Sequence, residues 1–489
     1  MKKLTALLLL FILLFTSSPV VLAAKKNDSS PTAEPIPQPT LSPDAAEYDP
    51  EHPEDLSPDQ LYALSAILMT QDKGEVIFEK DADTIRYPAS MTKILTVLLG
   101  LMFVDDLYEK VTVTETAVNV PSDSSTMYLK ADEEVRFIDV LYGTMLLSAN
   151  DGANVIAETV SGDISHFVAL MNDTAAALGC YNTHFVNAHG YHDENHYSTA
   201  RDIAVIAREA MKNETFREIA GTVSYSLPRT NKQRARTITT KSEYMLTGSE
   251  DNPNYYYYEY ASGIKTGSHS HSGYCFAGAA SKDGVDLVSV VMFTGRKARW
   301  ADTIKLMNYG FSQYMSVTPV DLYNMNPITI ETSNYSTSDL YRGKLQLICT
   351  PVKGNIDIVS TRTDIRHMAD NLRDIVLIQY SRDFQAPVAA GEEMGTMTYY
   401  PENGDPVVYS LTASRNIDKR ENAPRTLEEI IAYTNADPNP FPPFSFELFL
   451  ILAGLPLLIV ILIFVFVIHR KKKHTHKMRV PAPVNRYPK

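Results

Sequence analysis

Tyr87-Pro88-Ala89-Ser90-Met91-Thr92-Lys93-Ile94 places a hydroxyl three residues ahead of a lysine, at the head of an apolar run that continues to Val104. Pro88 before the hydroxyl and the apolar run behind it predict a helix buried on most sides, with Ser90 in its first turn. On such a helix Ser90 and Lys93 share a face, which brings the amine within reach of the hydroxyl. A hydroxyl is a poor nucleophile until a base takes its proton. A lysine serves as that base only when burial and a nearby second cation lower its pKa. Taken alone the spacing is weak evidence, because a chain this long holds about one or two Ser-x-x-Lys by chance.

Two further triads follow in order, Ser148-Ala149-Asn150 and Lys265-Thr266-Gly267. Leu146-Leu147 before the first and Asp151-Gly152-Ala153 after it predict a helix break whose polar side chains face a cleft. There Ser148 is placed to relay a proton and the Asn150 amide to hold a substrate carbonyl; the plainer alternative is a helix cap. Lys265-Thr266-Gly267 is read as lying just before a strand that starts near Gly273. Lys265 supplies a second cation beside Lys93 and a partner for a substrate carboxylate. Gly267 lets a substrate lie against a strand edge, although a lone triplet of this kind is equally a turn. The three together make up a serine acyl-transfer site that uses lysine where many hydrolases use histidine.

With these triads in place the chain resembles the D-alanyl-D-alanine carboxypeptidases, the low-molecular-mass penicillin-binding proteins. The resemblance extends through Leu147-Ser148-Ala149-Asn150-Asp151, Met171-Asn172, Leu178-Gly179, Thr183-x-Phe185-x-Asn187, the stretch His196-Tyr197-Ser198-Thr199-Ala200-Arg201-Asp202, and Gly273-Tyr274-Cys275. Ala386-Pro387-Val388, Gly391 and Gly395-Thr396 look like the family's small C-terminal β domain. The resemblance implies an α/β (α+β) fold of the β-lactamase and penicillin-binding-protein transpeptidase kind over 59–315, followed by a small all-β domain over 319–418. It implies that Ser90 attacks the bond between two terminal D-alanines of a peptidoglycan stem peptide. Lys93 is then the base, Ser148 the proton relay, and Asn150 the amide beside them. Lys265 and Thr266 hold the terminal carboxylate, and the backbone N–H groups of Ser90 and Ser268 form the oxyanion hole. β-Lactams are implied as inhibitors, with no cofactor and no metal. Ser268-His269-Ser270-His271 after the third triad, and Ala188-His189-Gly190-Tyr191 after Asn187, depart from the family's usual residues and bear on substrate preference.

The rest of the chain supplies an address. Lys2 and Lys3, the apolar run Leu4 to Phe15 and Val21-Leu22-Ala23 predict a signal peptide over 1–23. A Pro-, Ser- and acid-rich linker is expected over 24–58, and a stalk over 419–446. Leu448 to Ile468 is uncharged and long enough to span a bilayer, and Arg470-Lys471-Lys472-Lys473 follows at once. The positive-inside rule then places a basic tail over 469–489 in the cytoplasm and the catalytic part outside, on a single-pass membrane protein. A net charge of −13 argues against nucleic acid as a partner. Cys180, Cys275 and Cys349 are an odd number, which implies no disulfide framework.

Three rival readings stand beside this one. His184, His189, His192, Asp193, Glu194 and His196 crowd a short stretch, as zinc ligands do, but no His-Glu-x-x-His is present and the stretch reads as loop. A β-lactamase or penicillin sensor on the same fold needs a deacylating glutamate. The nearest match, Glu209 to Asn213, reads as a solvated helix face. A non-catalytic wall-binding scaffold would use surfaces such as the run Tyr255 to Tyr258, whose plain reading is strand and loop packing.

Overall fold

The computed structural model describes residues 47–249, 251–421 and 428. The expected signal peptide, the linker up to 46, nearly all of the stalk, the membrane helix over 448–468 and the basic tail lie outside the described residues. The described residues form two compact units. One comprises residues up to Thr329 with Gln346–Arg382 and Glu393–Ala413; the other comprises Ile330–Leu345, Asp383–Glu392 and the residues from Ser414.

The first unit is organised around a five-stranded antiparallel sheet in the order Val76–Lys80, Ser65–Thr70, Val285–Thr294, Gly273–Lys282, Ala261–His269. Side chains alternate across its two faces, and the burial follows that period of two. Ile67, Met69, Val288, Val290 and Met292 enter one core, which also holds the helices of the catalytic half. Ala66, Leu68, Leu287, Val291 and Phe276 enter a second core beneath the helix Ala298–Gln313, where Trp300 is fully buried. Covered on both faces, the strand Ser65–Thr70 is buried throughout. That explains why its sequence reads as an unbroken apolar run rather than an alternation.

The helix Lys93–Phe103 is buried from Lys93 to Gly100 and packs among the helices Phe137–Leu146, Asn150–Ser161 and Ala200–Met211. The helix Ala200–Met211 is capped by the Thr199 hydroxyl. The helix Ala298–Gln313 follows the strand Val285–Thr294. Its first turns carry Arg299, Asp302 and Thr303, polar residues that are nevertheless buried. Asp302 accepts hydrogen bonds from the backbone N–H groups of Tyr62 and Ala63 at 3.1 and 2.8 Å, which satisfies the carboxylate inside the core.

Downstream, still within the first unit, Gln346 to Pro351 pairs with Val407–Ala413, which pairs with Glu393–Tyr399, and that with Val376–Tyr380. The expectation of an all-β region is not fully met, because the helices Pro319–Met325 and Arg362–Asp370 accompany the strands. Thr361 caps the second of these and Ile365 and Ala369 form its buried stripe, a pattern too short to stand out among alternating segments. In the second unit Arg415 grips Asp339 with two hydrogen bonds of 2.9 and 3.0 Å. Isolated bridges join Ser333 to Gln385 and Val388 to Ile417.

Candidate active site

Ser90 sits in a 3-10 turn, Ala89–Thr92, that runs directly into the helix beginning at Lys93. In a 3-10 turn residues three apart stack one above the other, which aligns Ser90 with Lys93 more closely than an α-helical turn does. Ala89, just before the nucleophile, is held at φ 49°, a left-handed conformation that costs an alanine about 1–3 kcal/mol. The surroundings hold it there. The Thr92 hydroxyl donates to the Ala89 carbonyl at 2.8 Å and lies 2.8 Å from His196 Nε2. His196 Nδ1 accepts from the Val186 N–H at 3.2 Å, so the proton of this ring is on Nε2 and is donated to Thr92. Burial pushes His196 down to about 3, which keeps the ring neutral and this tautomer fixed.

Lys93 is fully buried, and its Nζ lies 3.1 Å from Ser90 Oγ, 2.7 Å from Asn150 Oδ1 and 2.5 Å from the His189 carbonyl. Burial holds the amine well below its ordinary range, and the Lys265 cation beside it works in the same direction. A neutral amine has two N–H bonds and one lone pair. In the neutral form the two carbonyl-type oxygens would take the two N–H bonds, and the lone pair would then face the Ser90 hydroxyl. That is the arrangement a general base requires.

The other predicted residues converge to different degrees. Asn150 opens the helix Asn150–Ser161 and is not a cap. Its amide is engaged on both sides, accepting from Lys93 and donating to Ser124 Oγ at 3.0 Å. It is thereby fixed beside Lys93. Ser148 lies at the expected break, buried and at φ 63°, so the helix does stop where the sequence indicated. No hydrogen bond joins Ser148 to Lys93 or Lys265 among the described residues.

Lys265-Thr266-Gly267-Ser268 does precede the strand Gly273–Lys282, as expected, and it also lies inside a strand of its own, the edge strand Ala261–His269, antiparallel to it. Lys265 and Gly267 therefore share one side of that strand, Thr266 and Ser268 the other. A Cβ on Gly267 would lie 2.7 Å from the Pro88 carbonyl oxygen. The glycine thus makes room for the nucleophile turn. Lys265 is buried and pushed down to about 7, first by burial and then by the charges of Lys241 and Arg299. Its Nζ donates to the Thr266 carbonyl at 3.1 Å. Arg299 is buried too, with its Nε left without a hydrogen-bond partner. Lys265, Lys241 and Arg299 bring three basic groups together, with the Glu243 carboxylate acting on Arg299, and this surplus of positive charge suits an anion.

Several contributors were given no role in the site from the sequence, although Asn172 and Asn187 lie in the stretches that carry the resemblance. Ser124 and Ser125 come from an irregular segment pinned to the helix start by Asp151, whose carboxylate accepts from the Met127, Leu129 and Gly152 N–H groups at 2.9–3.0 Å. Asn187 shapes the loop that presents the His189 carbonyl, accepting from the Gly190 N–H at 2.7 Å and donating to the Tyr191 carbonyl at 2.9 Å. Asn172 clamps Phe185 through both backbone groups, at 2.8 and 2.9 Å. Lys241 reaches Ser125 Oγ at 3.2 Å.

The histidine-rich stretch does not assemble into the expected rival set of metal ligands. His189 and His196 are buried with ring nitrogens committed to protein partners, and His184 Nδ1 bonds the Asn195 carbonyl at 2.6 Å. Glu209 forms an ion pair with Lys212 at 2.6 Å. In the tyrosine run Tyr255 is exposed, whereas Tyr258 is buried with its hydroxyl donating to Asn308 at 2.8 Å. Cys180 and Cys275 are buried free thiols, pushed up by burial to about 12 and about 11, and so are poor nucleophiles.

Comparison with known proteins places this geometry in context. Residues 52–295 match the sequence profile of the peptidase S11 family, described as D-alanyl-D-alanine carboxypeptidase. The chain is similar to the D-alanyl-D-alanine carboxypeptidase DacF of Bacillus subtilis, with 28% identity over 73% of this chain and 86% of that protein. It is 32% identical to a D-alanyl-D-alanine carboxypeptidase of a Streptomyces species, strain K15, over 51% of this chain and 87% of the relative. The crystal structure of the Streptomyces K15 DD-transpeptidase aligns with a TM-score of 0.47 and 31% identity, covering 51% of this chain and 97% of that one.

Proposed function

This chain belongs to the D-alanyl-D-alanine carboxypeptidases, penicillin-binding hydrolases of the peptidoglycan stem peptide, and from that premise we propose how its own residues carry the reaction. Ser90 Oγ attacks the carbonyl carbon of the bond between the two terminal D-alanines. Lys93 Nζ takes the hydroxyl proton as the new C–O bond forms, and the carbonyl electrons move onto oxygen. The backbone N–H groups of Ser90 and Ser268 receive that oxyanion. Collapse expels the D-alanine amine, which takes a proton from Lys93 through Ser148. Water then attacks the Ser90 ester by the reverse proton path and frees the shortened peptide.

Lys265 and Thr266 hold the terminal carboxylate, with Arg299 and Lys241 adding to the positive field around it. Gly267 sets the close approach of strand and nucleophile. The observation that carries the assignment is buried Lys93 Nζ, 3.1 Å from Ser90 Oγ, with Asn150 Oδ1 and the His189 carbonyl as its two other partners. A β-lactam enters the same site as a mimic of the acyl donor and remains attached to Ser90.

We also propose that the protein is exported through its first 23 residues and held at the outer face of the cell membrane by the helix over 448–468. The β-rich segment over 319–418 stands between the catalytic part and the stalk. Intact mass after incubation of the full-length chain with penicillin tests the nucleophile. The expected result is a single stable adduct that is absent in Ser90→Ala. Rapid turnover of penicillin without an adduct would favour a β-lactamase, and no reaction from folded protein would favour a non-catalytic scaffold.

A further inference from the structure

The hairpin turn beyond the edge strand carries His269 and His271, and the loop that offers the His189 carbonyl to Lys93 also carries His192. Among the described residues these three form the one grouping of histidine, cysteine or carboxylate side chains with donor atoms converging, all within 4.8 Å of one another. His269 Nδ1 and His271 Nδ1 are 3.4 Å apart. Two donors on a tetrahedral zinc, each at about 2.0–2.1 Å, are separated by about 3.3 Å. His192 stacks on His271 with ring centres 4.1 Å apart and planes at 3°, and on His269 at 5.0 Å. Its Nδ1 is buried and has no hydrogen-bond partner. A buried ring nitrogen without a partner is unfavourable, and ligation would relieve it.

The cluster lies at the mouth of the catalytic cleft. His269 is two residues beyond Gly267, on the side of the strand that Lys265 and Gly267 share. The His192 ring meets Tyr87, three residues before Ser90, edge-on at 4.6 Å. The Tyr191 hydroxyl donates to Asp123 at 3.1 Å, and the Asp123 carboxylate acts on His269, so the rim carries a negative charge that suits a bound cation.

We propose that His192, His269 and His271 form a binding site for a divalent transition-metal cation, Zn²⁺ foremost, at the rim of the active-site cleft. Three imidazoles with no thiolate select zinc, copper or nickel over magnesium or calcium. Rotation of the exposed His271 ring brings the third donor to bonding distance and leaves a fourth position for water. The bound ion ties the loop over 187–196 to the hairpin turn, and so narrows the entry beside the edge strand and slows acylation. This second consequence rests on the reading of Ser90 as nucleophile; metal binding itself does not.

The test titrates the full-length chain with Co²⁺, whose visible absorption reports low-coordinate nitrogen ligation. The expected result is a band saturating at a single equivalent, displaced by Zn²⁺, and lost in both His192→Gln and His271→Gln. His271→Gln, altered at an exposed position, should still be acylated by a fluorescent penicillin at the parent rate without metal, which shows that it is folded. Zn²⁺ should slow acylation of the parent by about 10-fold, as a small displacement at the reacting centre does, and leave His271→Gln unaffected. No saturating band, or the same band in both variants, would overturn the site and assign any binding to His474 and His476 of the C-terminal tail. Binding that leaves acylation unchanged would overturn the gating role. Failure of acylation in metal-free parent would instead strike at the Ser90 reading.

Discussion

Lys93 and Lys265 carry the same side chain under the same burial, yet their proposed roles need opposite charges. Lys93 acts as a base only when neutral, and burial together with the Lys265 charge favours that form. Lys265 holds a carboxylate only when protonated, and burial with the neighbouring cations pushes it down to about 7. Its charge in the free enzyme is therefore present below about 7 and lost as pH rises through that value. Substrate, by bringing a carboxylate, favours the protonated form and raises the pKa in the complex. The expected profile of kcat/KM falls on the alkaline side with an apparent pKa near 7, while kcat alone holds to higher pH. Lys265→Arg, which cannot lose its charge in this range, should remove the alkaline fall even if the overall rate is lower. A variant that kept the same alkaline limb would show that another group titrates there.

The loop over 187–196 and the turn Ala89–Thr92 act as one element, and glycine is what lets them meet. A Cβ on Gly190, which has φ +79°, would come within 1.9 Å of the Ala89 carbonyl oxygen. Neither backbone can yield without moving Ser90 or the His189 carbonyl that fixes Lys93. Gly190→Ala is therefore expected to cost about 2 kcal/mol or more in stability and to slow penicillin acylation by about 100-fold. Chemical unfolding and acylation kinetics read the two effects separately, and unchanged acylation would mean that the loop does not position the turn. Gly190 also marks how far the sequence could be read. Ser90, Lys93, Asn150 and Lys265 were legible because helix period and motif order carry them, and the structure brings Lys93 into contact with Ser90 and Asn150. The His189 carbonyl, Ser124 and Arg299 were not legible, since each enters from a segment whose path depends on tertiary packing. That Lys265-Thr266-Gly267, correctly placed before the strand at Gly273, is itself part of a strand was not legible for a related reason. Its lysine and glycine disguise an edge strand whose hydrogen bonds, and not its side chains, define it.

At the scale of the whole molecule, the proposal of export raises the question of what would hold an acidic chain to the place where stem peptides are made. The 21 residues over 448–468 would extend about 31 Å as a helix, against a hydrocarbon core of about 30 Å. Arg470 to Lys473 follow after His469 and would oppose translocation of the tail. Among the described residues no helix is long and apolar enough to cross a membrane, and the stretch over 448–468 lies outside them. A chain ending at residue 446 is expected in the soluble fraction, with penicillin acylation at the parent rate, because the hydrogen-bond partners described for Ser90, Lys93 and Lys265 all lie before it. The parent chain should remain with membranes through an alkaline wash, which strips peripherally bound proteins but leaves spanning helices in place. Release of the parent by that wash would leave the apolar stretch as a buried or surface helix. Retention of the shortened chain would place the membrane contact in the catalytic or β-rich part instead.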